Sequence, residues 1–291
     1  MGDRPLEGRV ALVAGATRGA GRGIAVELGR AGATVYASGR SSRRHGRSSM
    51  DRAETIDETA ELVDAAGGTG IAVRADHADQ DAVRRLIDRI ADDHGHLDVL
   101  VNDLWGGDPL VHWGKAFWEH DLDAGLRAVR NGVETHVVTS WHAAPLLMKS
   151  DRGLIVEVTD GTDERYRGSL FYDLAKAGVL RLVVGQARDL HEHGVAVVAL
   201  TPGFLRSEAM LDHFGVTEET WRDAIDQDPH FAFSETPTYI GRAVAALAAD
   251  PDILELSGEM LATWTLKDRY GYVDADGRRP DWGAHAATLD L

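Results

Sequence analysis

The sequence predicts an α/β fold: a Rossmann-type, doubly wound sheet of about seven mainly parallel strands flanked by helices. Short apolar, β-branched runs alternate along the chain with longer amphipathic stretches, and this alternation is typical of strands joined by crossover helices. Two of the runs, Val10–Ala14 and Val195–Leu200, are apolar at every position, as expected of parallel strands that helices cover on both faces. A glycine-rich turn follows the first run.

The predicted elements follow one another with short connections. Apolar and β-branched runs predict the strands Val10–Ala14, Thr34–Ala37, Gly70–Arg74, Val99–Asn102, Leu154–Thr159, Val195–Leu200 and Glu259–Ala262. Apolar residues at helical spacing predict the main helices Gly21–Ala31, Glu54–Ala66, Asp79–Asp92, Asp121–Met148, Leu170–Leu190 and Thr238–Ala248. We find no repeat or low-complexity linker, so residues 1–291 are predicted to form a single domain. Residues 266–291 carry turn signals and the isolated Trp282, which predicts a C-terminal extension that packs on this domain.

Composition excludes several classes of function. The chain has 31 Lys and Arg against 47 Asp and Glu, a net charge of −16, which argues against a nucleic-acid surface. The absence of cysteine excludes disulfides and cysteine-ligated metals and fits a reducing compartment. No apolar run approaches the ~20 residues of a membrane span, and the N-terminus lacks the apolar core of a signal peptide. We expect a cytoplasmic protein without a metal site, because the paired histidines lie at predicted helix ends.

The turn after the first strand predicts a nucleotide site. Gly15, Gly19 and Gly21 frame a short loop that also contains Thr17 and Arg18 and opens the first helix. Such glycines let the backbone turn tightly and approach a ligand, while the free amides of a helix start attract a pyrophosphate. We therefore expect these residues to bind a dinucleotide.

The end of the second strand indicates which dinucleotide. A ribose 2′-hydroxyl is usually held there by an acid, whereas a 2′-phosphate requires cations. Here Arg40 opens a basic stretch with no acid before Asp51, and Arg18 lies in the neighbouring loop. This favours NADP(H) over NAD(H). Asp76 and His77 after the third strand are candidates for the adenine end, although Asp76 also suits a helix N-cap.

A second motif is Tyr172-Asp173-Leu174-Ala175-Lys176. Together with the glycine loop it resembles the short-chain dehydrogenase/reductase superfamily, and the resemblance runs from about Gly8 to Gly203, with the seventh strand beyond. Further residues that match the family are Asn102 at the fourth strand, Pro202 and Gly203 after the sixth, and Ser207 where the family usually contacts the cofactor carboxamide.

The resemblance implies a mechanism for this pair. Tyr172 and Lys176 are four positions apart and share a helix face. A phenol ordinarily titrates near ~10, and a neighbouring ammonium is expected to lower that pKa. Tyr172 would then exchange a proton with a carbonyl or alcohol oxygen. In the family, the residue at the position of Lys176 also holds the nicotinamide ribose, so Lys176 is expected to bind the cofactor.

The chain departs from the family where a Ser normally precedes the Tyr. Counting back from Tyr172 reaches Thr159, whereas aligning the fifth strand reaches Thr159 or Asp160. The count and the neutral hydroxyl favour Thr159, and Asp160 stays open. The family also has a helix Asn that relays protons through water, and counting back from Pro145 places it at Gly132. Asn131 can take this role only if the helix register shifts. We therefore describe the chain as similar to an extended-tail subgroup with a non-Ser residue at the Ser position.

Aromatic residues predict the class of substrate, and apolar helix faces predict the oligomeric state. Trp105, Trp118 and Phe204 lie in segments that border the nicotinamide end of the cleft, which indicates an apolar or aromatic substrate. Helices Asp121–Met148 and Leu170–Leu190 correspond to the dimer-forming pair of the family, so we expect a homodimer or homotetramer. The residues expected to offer apolar surface there are Val133, Val137, Val138, Leu180, Leu182 and Val183.

From these observations we predict that the protein is an NADP(H)-dependent oxidoreductase that interconverts a carbonyl and an alcohol. Two alternatives remain open. One is a non-catalytic NADP-binding sensor or scaffold that lost the Ser. The other is an enzyme of the same fold that carries out a non-redox dehydration or epimerisation, with Asp160 as the base.

Overall fold

A seven-stranded sheet forms the centre of the computed structural model, which describes residues 4–47, 51–163 and 165–289. All its strands are parallel and lie in the order β3-β2-β1-β4-β5-β6-β7. The predicted fold class is therefore confirmed. The strands are β1 (Val10–Ala14), β2 (Thr34–Gly39), β3 (Thr69–Arg74), β4 (Val99–Asn102), β5 (Gly153–Val158), β6 (Val195–Thr201) and β7 (Met260–Ala262).

Helices connect and cover these strands. None in the described part of the chain is long and apolar enough to cross a membrane. Their bounds are α1 (Gly19–Arg30), α2 (Ile56–Ala66), α3 (Gln80–His94), α4 (Leu122–Val129), α5 (Thr135–Leu147), α6 (Leu170–Leu190), α7 (Glu208–Phe214), α8 (Pro237–Ala249), α9 (Thr263–Tyr270) and α10 (Trp282–Ala286).

The sheet separates two apolar layers, which explains the apolar strands. Successive strand residues point to opposite faces. Ala11 and Val13 of β1 pack in the layer that contains residues of α1 and α8, while Val10 and Leu12 pack in the layer that contains residues of α3, α5 and α6. Both faces of β1 are therefore buried, and a polar residue has no solvent-facing position there.

The long helix predicted over Asp121–Met148 is interrupted. A π-helical segment, Arg130–Glu134, separates α4 from α5. Such a segment adds a residue to a helical turn and commonly occurs at functional sites. The interruption changes the register of every side chain that precedes it, and counting back along an ideal helix could not predict this.

The crevice for a ligand lies at the carboxyl edge of the sheet. Strands β2 and β4 both pair with β1, and Ala14 at the end of β1 is in register with Ser38 and Asn102. The chain leaves β1 toward β2 on one side and reaches β4 on the other, which makes this edge the topological switch point where such folds bind ligands.

Candidate active site

The loop after β1 shows why glycine is needed. Gly15 has φ +96° and Gly19 has φ +55°, values that side chains disfavour. A Cβ on Gly15 would lie 2.0 Å from the Asp103 carbonyl oxygen, and one on Gly21 would lie 2.5 Å from the Gly15 carbonyl oxygen. A Cβ on Gly19, in contrast, would meet nothing nearer than the Ser207 Cβ at 3.7 Å. Gly15 and Gly21 thus allow close backbone packing, while Gly19 faces a more open space.

A carboxylate already contacts this helix start. The Gly19 amide donates to Glu208 Oε2 at 2.8 Å, and Arg22 Nη1 lies 3.9 Å from Glu208 Oε1. A helix N-terminus attracts anions because its amides are free and its dipole end is positive. The start of α1 is therefore suited to a phosphate group, with Glu208 as a competitor that the sequence did not indicate.

The predicted arginines lie at the same end of the crevice. Arg18 Nε donates to Glu54 Oε2 at 3.3 Å, and its buried Nη2 has no hydrogen-bond partner among the described residues. The Arg40 guanidinium reaches the β4 side of the crevice, with Nη2 3.1 Å from where a Cβ on Gly106 would lie. Glu54, which also pairs with Arg52 at 2.7 Å, is an acid that sequence inspection overlooked because it follows β2 by many residues.

The residues after β3 differ in their availability. Asp76 Oδ1 accepts a hydrogen bond from the Ala78 amide at 3.1 Å and closes a local turn. The ring nitrogens of His77 contact the hydroxyls of Ser38 and Thr139, each at 2.8 Å. Burial lowers the His77 pKa to about 4. The His77 ring is therefore engaged in the interior, and cofactor binding by this residue stays a prediction.

A buried polar network lies beneath the β4 end of the crevice. Asn102 Nδ2 donates to Ser140 Oγ at 2.9 Å and to Glu157 Oε1 at 3.1 Å. Glu157 Oε2 pairs with His136 Nδ1 at 2.6 Å, and His136 Nε2 donates to the Leu104 carbonyl at 2.9 Å. This network fixes the loop after β4. The charged Glu157 inside the otherwise apolar β5 could have indicated this network, which was not predicted.

Tyr172 and Asp160 form the central contact of the site. The Tyr172 hydroxyl donates to Asp160 Oδ2 at 2.8 Å. Thr159 is 3 % exposed, and its hydroxyl donates to the Lys176 backbone carbonyl at 3.0 Å. The Thr159 side chain thus turns back onto α6 and Asp160 faces Tyr172, which favours Asp160 of the two open candidates.

Burial sets the protonation of this site. It raises the pKa of Tyr172 well above 10.0, and the charge and hydrogen bond of Asp160 add to the effect. Burial also lowers the Lys176 pKa, although Asp160, Asp103 and Asp108 oppose it. The Asp103 pKa is raised to about 6 by burial. Tyr172 is thus a neutral phenol at physiological pH, which corrects the expectation that Lys176 lowers its pKa.

Aromatic rings surround the pair. The Trp105 ring lies 5.4 Å from that of Tyr172, and Lys176 Nζ lies 4.7 Å from the Trp105 ring centre. The second ring against Tyr172 is that of Trp113, at 5.0 Å. Trp118, expected at the substrate, is 74 % exposed. Trp113, from the same segment after β4, is thus the ring that contacts Tyr172, and the role of Trp118 stays a prediction.

Asn131 lies within the π-helical segment. Its backbone carbonyl accepts a hydrogen bond from the Thr135 hydroxyl at 2.6 Å. The following residue, Gly132, packs closely enough that a Cβ would lie 3.1 Å from the Trp105 ring and 2.9 Å from the Ala175 Cβ. The position directed at Trp105 is thus that of Gly132, and the role of Asn131 stays a prediction.

The residues predicted after β6 form the other side of the site. The Gly203 amide donates to Glu235 Oε2 at 3.0 Å, Ser207 Oγ caps α7, and the Phe204 ring lies 5.8 Å from the Trp282 ring. A cavity of about 300 Å³ opens here, and its wall includes Asp160, Tyr166, Arg167, Pro202, Trp264 and Trp282.

The comparison with known families agrees with this geometry. The family model described as short chain dehydrogenase matches residues 9–214. The chain belongs to the short-chain dehydrogenase/reductase family. Proteins of this family are oxidoreductases that use nicotinamide cofactors, and this chain is such an oxidoreductase.

Relatives of similar length lie within the family. The chain is 35 % identical over 279 residues to dehydrogenase/reductase SDR family member 1 of Mus musculus, which covers 94 % of this chain and 85 % of the relative. It is 30 % identical over 243 residues to 3-oxoacyl-(acyl-carrier-protein) reductase FabG of Staphylococcus aureus, covering 82 % and 90 %. A short-chain dehydrogenase structure from Mycobacterium thermoresistibile matches with a TM-score of 0.78 at 21 % identity, covering 95 % and 92 %.

The residues of this member fit a nicotinamide dinucleotide. Gly19 leaves space at the start of α1, and the unpartnered Nη2 of Arg18 is a buried donor in need of an acceptor. A buried guanidinium nitrogen without an acceptor is costly, and a cofactor phosphate is an acceptor of suitable charge. When bound, the dinucleotide supplies or accepts a hydride.

Proposed function

We propose that this short-chain dehydrogenase interconverts a carbonyl and an alcohol on an apolar or aromatic small molecule, with NADP(H) as the cofactor. The observation that carries the proposal is the Tyr172 hydroxyl, which is held by Asp160 at the wall of a cavity and lies beside Lys176. The rings of Trp105 and Trp113 around Tyr172 favour a substrate with an apolar or aromatic surface.

Tyr172 and Asp160 act as a proton relay in this proposal. In the reducing direction Tyr172 gives its proton to the carbonyl oxygen, and a proton from solvent in the cavity reaches the phenol oxygen through the Asp160 carboxylate along their hydrogen bond. In the oxidising direction the alcohol gives its proton to Tyr172, which passes its own to the Asp160 carboxylate. The relay avoids a free phenolate, which the raised pKa of Tyr172 makes unfavourable.

Lys176 and Asn131 complete the proposed machinery. The resemblance to the family assigns the nicotinamide ribose to Lys176, and the contact of its ammonium with the Trp105 ring supports a fixed position for this group. The π-helical segment supports Asn131 as the helix Asn that relays protons through water. Asp76, Asn102, Pro202, Gly203 and Ser207 are proposed to line the cofactor crevice.

The preference for NADP(H) rests on Arg18 and Arg40. A charged phosphate contact contributes about 1.5–3 kcal/mol, or roughly 10- to 150-fold in affinity. We expect NADPH to bind more tightly than NADH by this factor in fluorescence titrations, and Arg40→Asp to erode or invert the preference. Glu54→Gln is the complementary variant, because it frees Arg18 from its acid partner and should strengthen NADPH binding. Equal dissociation constants for both cofactors would contradict the proposal.

Turnover separates this function from a sensor or scaffold. The experiment follows NADPH consumption with a panel of aromatic and aliphatic ketones and aldehydes, using the wild type and Tyr172→Phe. We expect at least one aromatic carbonyl to be reduced, and Tyr172→Phe to lose most of the rate while keeping NADPH affinity. Tight NADPH binding without turnover of any compound would favour the non-catalytic sensor.

The Asp160–Tyr172 contact also favours a second candidate, a non-redox proton transfer. A carboxylate 2.8 Å from a phenol is an acid–base pair suited to dehydration or epimerisation. Its signature is hydrogen exchange next to the substrate carbonyl, measured by NMR in D₂O without consumption of nucleotide. Exchange that persists without NADPH oxidation would support this candidate.

We also propose that the protein forms a homodimer or homotetramer. Val138 and Val183 were expected to offer apolar surface at the interface. This expectation is wrong, because both side chains are buried in the core, with exposed fractions of 8 % and 0 %. The apolar residues that these helices leave exposed are Leu122, Leu126, Val137, Trp141, Met148, Leu174 and Val184. Large apolar side chains exposed on neighbouring helices favour an interaction surface. Light scattering is expected to give a mass above 31.5 kDa, and a monomer at micromolar concentration would contradict the proposal.

A further inference from the structure

We propose that residues 281–287 are the outer wall of the substrate cavity, and that Trp282 determines the size of the aromatic carbonyl compounds that the cavity admits. The proposal deepens the function proposed above and rests on it, because it takes the cavity lined by Asp160, the hydrogen-bond partner of Tyr172, as the substrate site.

The segment contributes directly to the cavity. Trp282, Gly283, Ala286 and Ala287 line the same space as Asp160. Asp160 is the hydrogen-bond partner of Tyr172. A molecule that contacts Asp160 in this cavity is therefore separated from the reacting hydroxyl by this one side chain. The cavity measures about 300 Å³, the lower end of the range for small-molecule sites, so the loss of one wall side chain changes its capacity substantially.

Close packing holds the segment against the rest of the site. A Cβ on Gly203 would lie 2.6 Å from the Trp282 Cβ, and one on Gly283 would lie 2.1 Å from Trp264 Nε1. Both contacts therefore require glycine. Gly203 lies in the loop after β6, and Trp264 lies at the start of α9. The tail thus packs on two elements that themselves border the cavity.

Side-chain contacts fix the orientation of the segment. The His285 ring stacks on Phe233 with centroids 3.8 Å apart and planes at 8°, and its Nε2 lies 2.9 Å from His230 Nδ1. On the preceding turn, Asp281 accepts a hydrogen bond from Lys267 Nζ at 3.1 Å. His230 and Phe233 lie in the segment that follows β6 and α7. Through His285, residues 281–287 therefore contact the segment after α7 that contains His230 and Phe233.

The indole of Trp282 is suited to recognising a flat ring. Its ring lies 5.8 Å from that of Phe204 and 5.6 Å from that of His230, so its position is set by neighbours on two sides. Aromatic pairs in such geometries are favourable beyond the area they bury. A rigid aromatic wall that faces a small cavity accepts a small ring and excludes a larger one.

The experiment measures ketone binding rather than turnover. Acetophenone, 2-acetonaphthone and 2-acetylanthracene are titrated calorimetrically into the complex of the full-length chain with NADP⁺. A ketone and an oxidised cofactor have no hydride to exchange, so binding is observed whether or not the enzyme reduces these compounds. The variants are Trp282→Ala, Trp282→Phe and His285→Ala, with His193→Ala as the control because that histidine is exposed after α6.

The wild type is expected to bind acetophenone and to discriminate against 2-acetylanthracene. Trp282→Ala should weaken acetophenone binding about tenfold and bring 2-acetylanthracene to equal or tighter affinity. Trp282→Phe should keep the wild-type order, and His285→Ala should shift selection in the same direction as Trp282→Ala. NADP⁺ affinity should be unchanged in all four variants, which establishes that the cofactor crevice is intact.

Two results would overturn the proposal: no ketone binds the wild-type complex, or Trp282→Ala and His285→Ala bind all three ketones with wild-type affinities. Failure of the redox function is a different result. If ketone selection depends on Trp282 but NADPH is never oxidised, the tail forms the wall of a binding site in a protein that is not a carbonyl reductase.

Discussion

Replacing Asp160 with Asn should change the titration of Tyr172. The Tyr172 hydroxyl donates to Asp160 Oδ2 at 2.8 Å, so ionised Tyr172 would place two negative charges in contact. At about 4 Å and an effective dielectric constant near 20, such charges repel by about 4 kcal/mol, whereas 1.36 kcal/mol shifts a titration by one unit. Asp160→Asn keeps the shape and removes the charge. The Tyr172 pKa should therefore fall, and the effect should be far larger than the error of a titration.

The assay is the ultraviolet titration of tyrosinate, with Tyr172→Phe used to isolate the contribution of this residue. Asp189→Asn is a matched control, because it removes an exposed acid from the same helix. The relay also predicts that Asp160→Asn loses an acidic step in the pH profile of turnover. If Tyr172 titrates identically in the wild type and in Asp160→Asn, Asp160 is not its partner and the relay is refuted.

Three further predictions concern residues around the crevice. Glu208→Gln should tighten NADPH binding several-fold in a titration, because it removes the carboxylate that competes for the Gly19 amide; weaker binding would mean that Glu208 holds the cofactor loop in its active form. Burial raises the Glu235 pKa from its ordinary 4.5 to about 8, so the folded state retains a proton that the unfolded chain loses, and stability should fall as pH rises between these values. Glu235→Gln should flatten that decline in thermal unfolding measured across this range, since the amide still accepts from Gly203, and an unchanged slope would assign the decline elsewhere. Thr159→Val should lower the thermal unfolding midpoint, because it removes the hydroxyl that donates to the Lys176 carbonyl, and should leave kcat near wild type; a loss of about 10²–10³ in turnover, the cost of one preorganised donor, would return Thr159 to the reacting centre.

Most of the fold could be predicted because its signal is local. Val10–Ala14 and Val99–Asn102 were predicted with the bounds that the structure has, since a strand covered on both faces needs apolar residues throughout. Leu170–Leu190 was also predicted with correct bounds. The long helix before β5 was not, because the π-helical segment is a matter of backbone register that side-chain periodicity does not encode.

The site was predictable to the extent that motifs fix residues on one element. Tyr172 and Lys176 share a helix, so their spacing alone brought them together. The choice between Thr159 and Asp160 depended on which of two consecutive side chains faces α6 and which faces the crevice, and sequence spacing does not decide this. Glu54 and Glu208 were overlooked for a related reason: each reaches the glycine loop from a distant part of the chain, where no pattern indicates it.

The decisive experiment for carbonyl reduction by Tyr172 is the transfer of deuterium from labelled NADPH to a ketone. The measurement follows the mass of the alcohol formed from acetophenone and deuterated NADPH, with the wild type and with Tyr172→Phe. We expect one deuterium on the carbinol carbon with the wild type and almost no labelled alcohol with Tyr172→Phe, because the phenol is the proton donor. Labelled alcohol formed equally well by Tyr172→Phe would contradict the role of Tyr172. If the wild type binds NADPH and a ketone but forms no labelled alcohol from any ketone or aldehyde of the panel, the chain is not a carbonyl reductase.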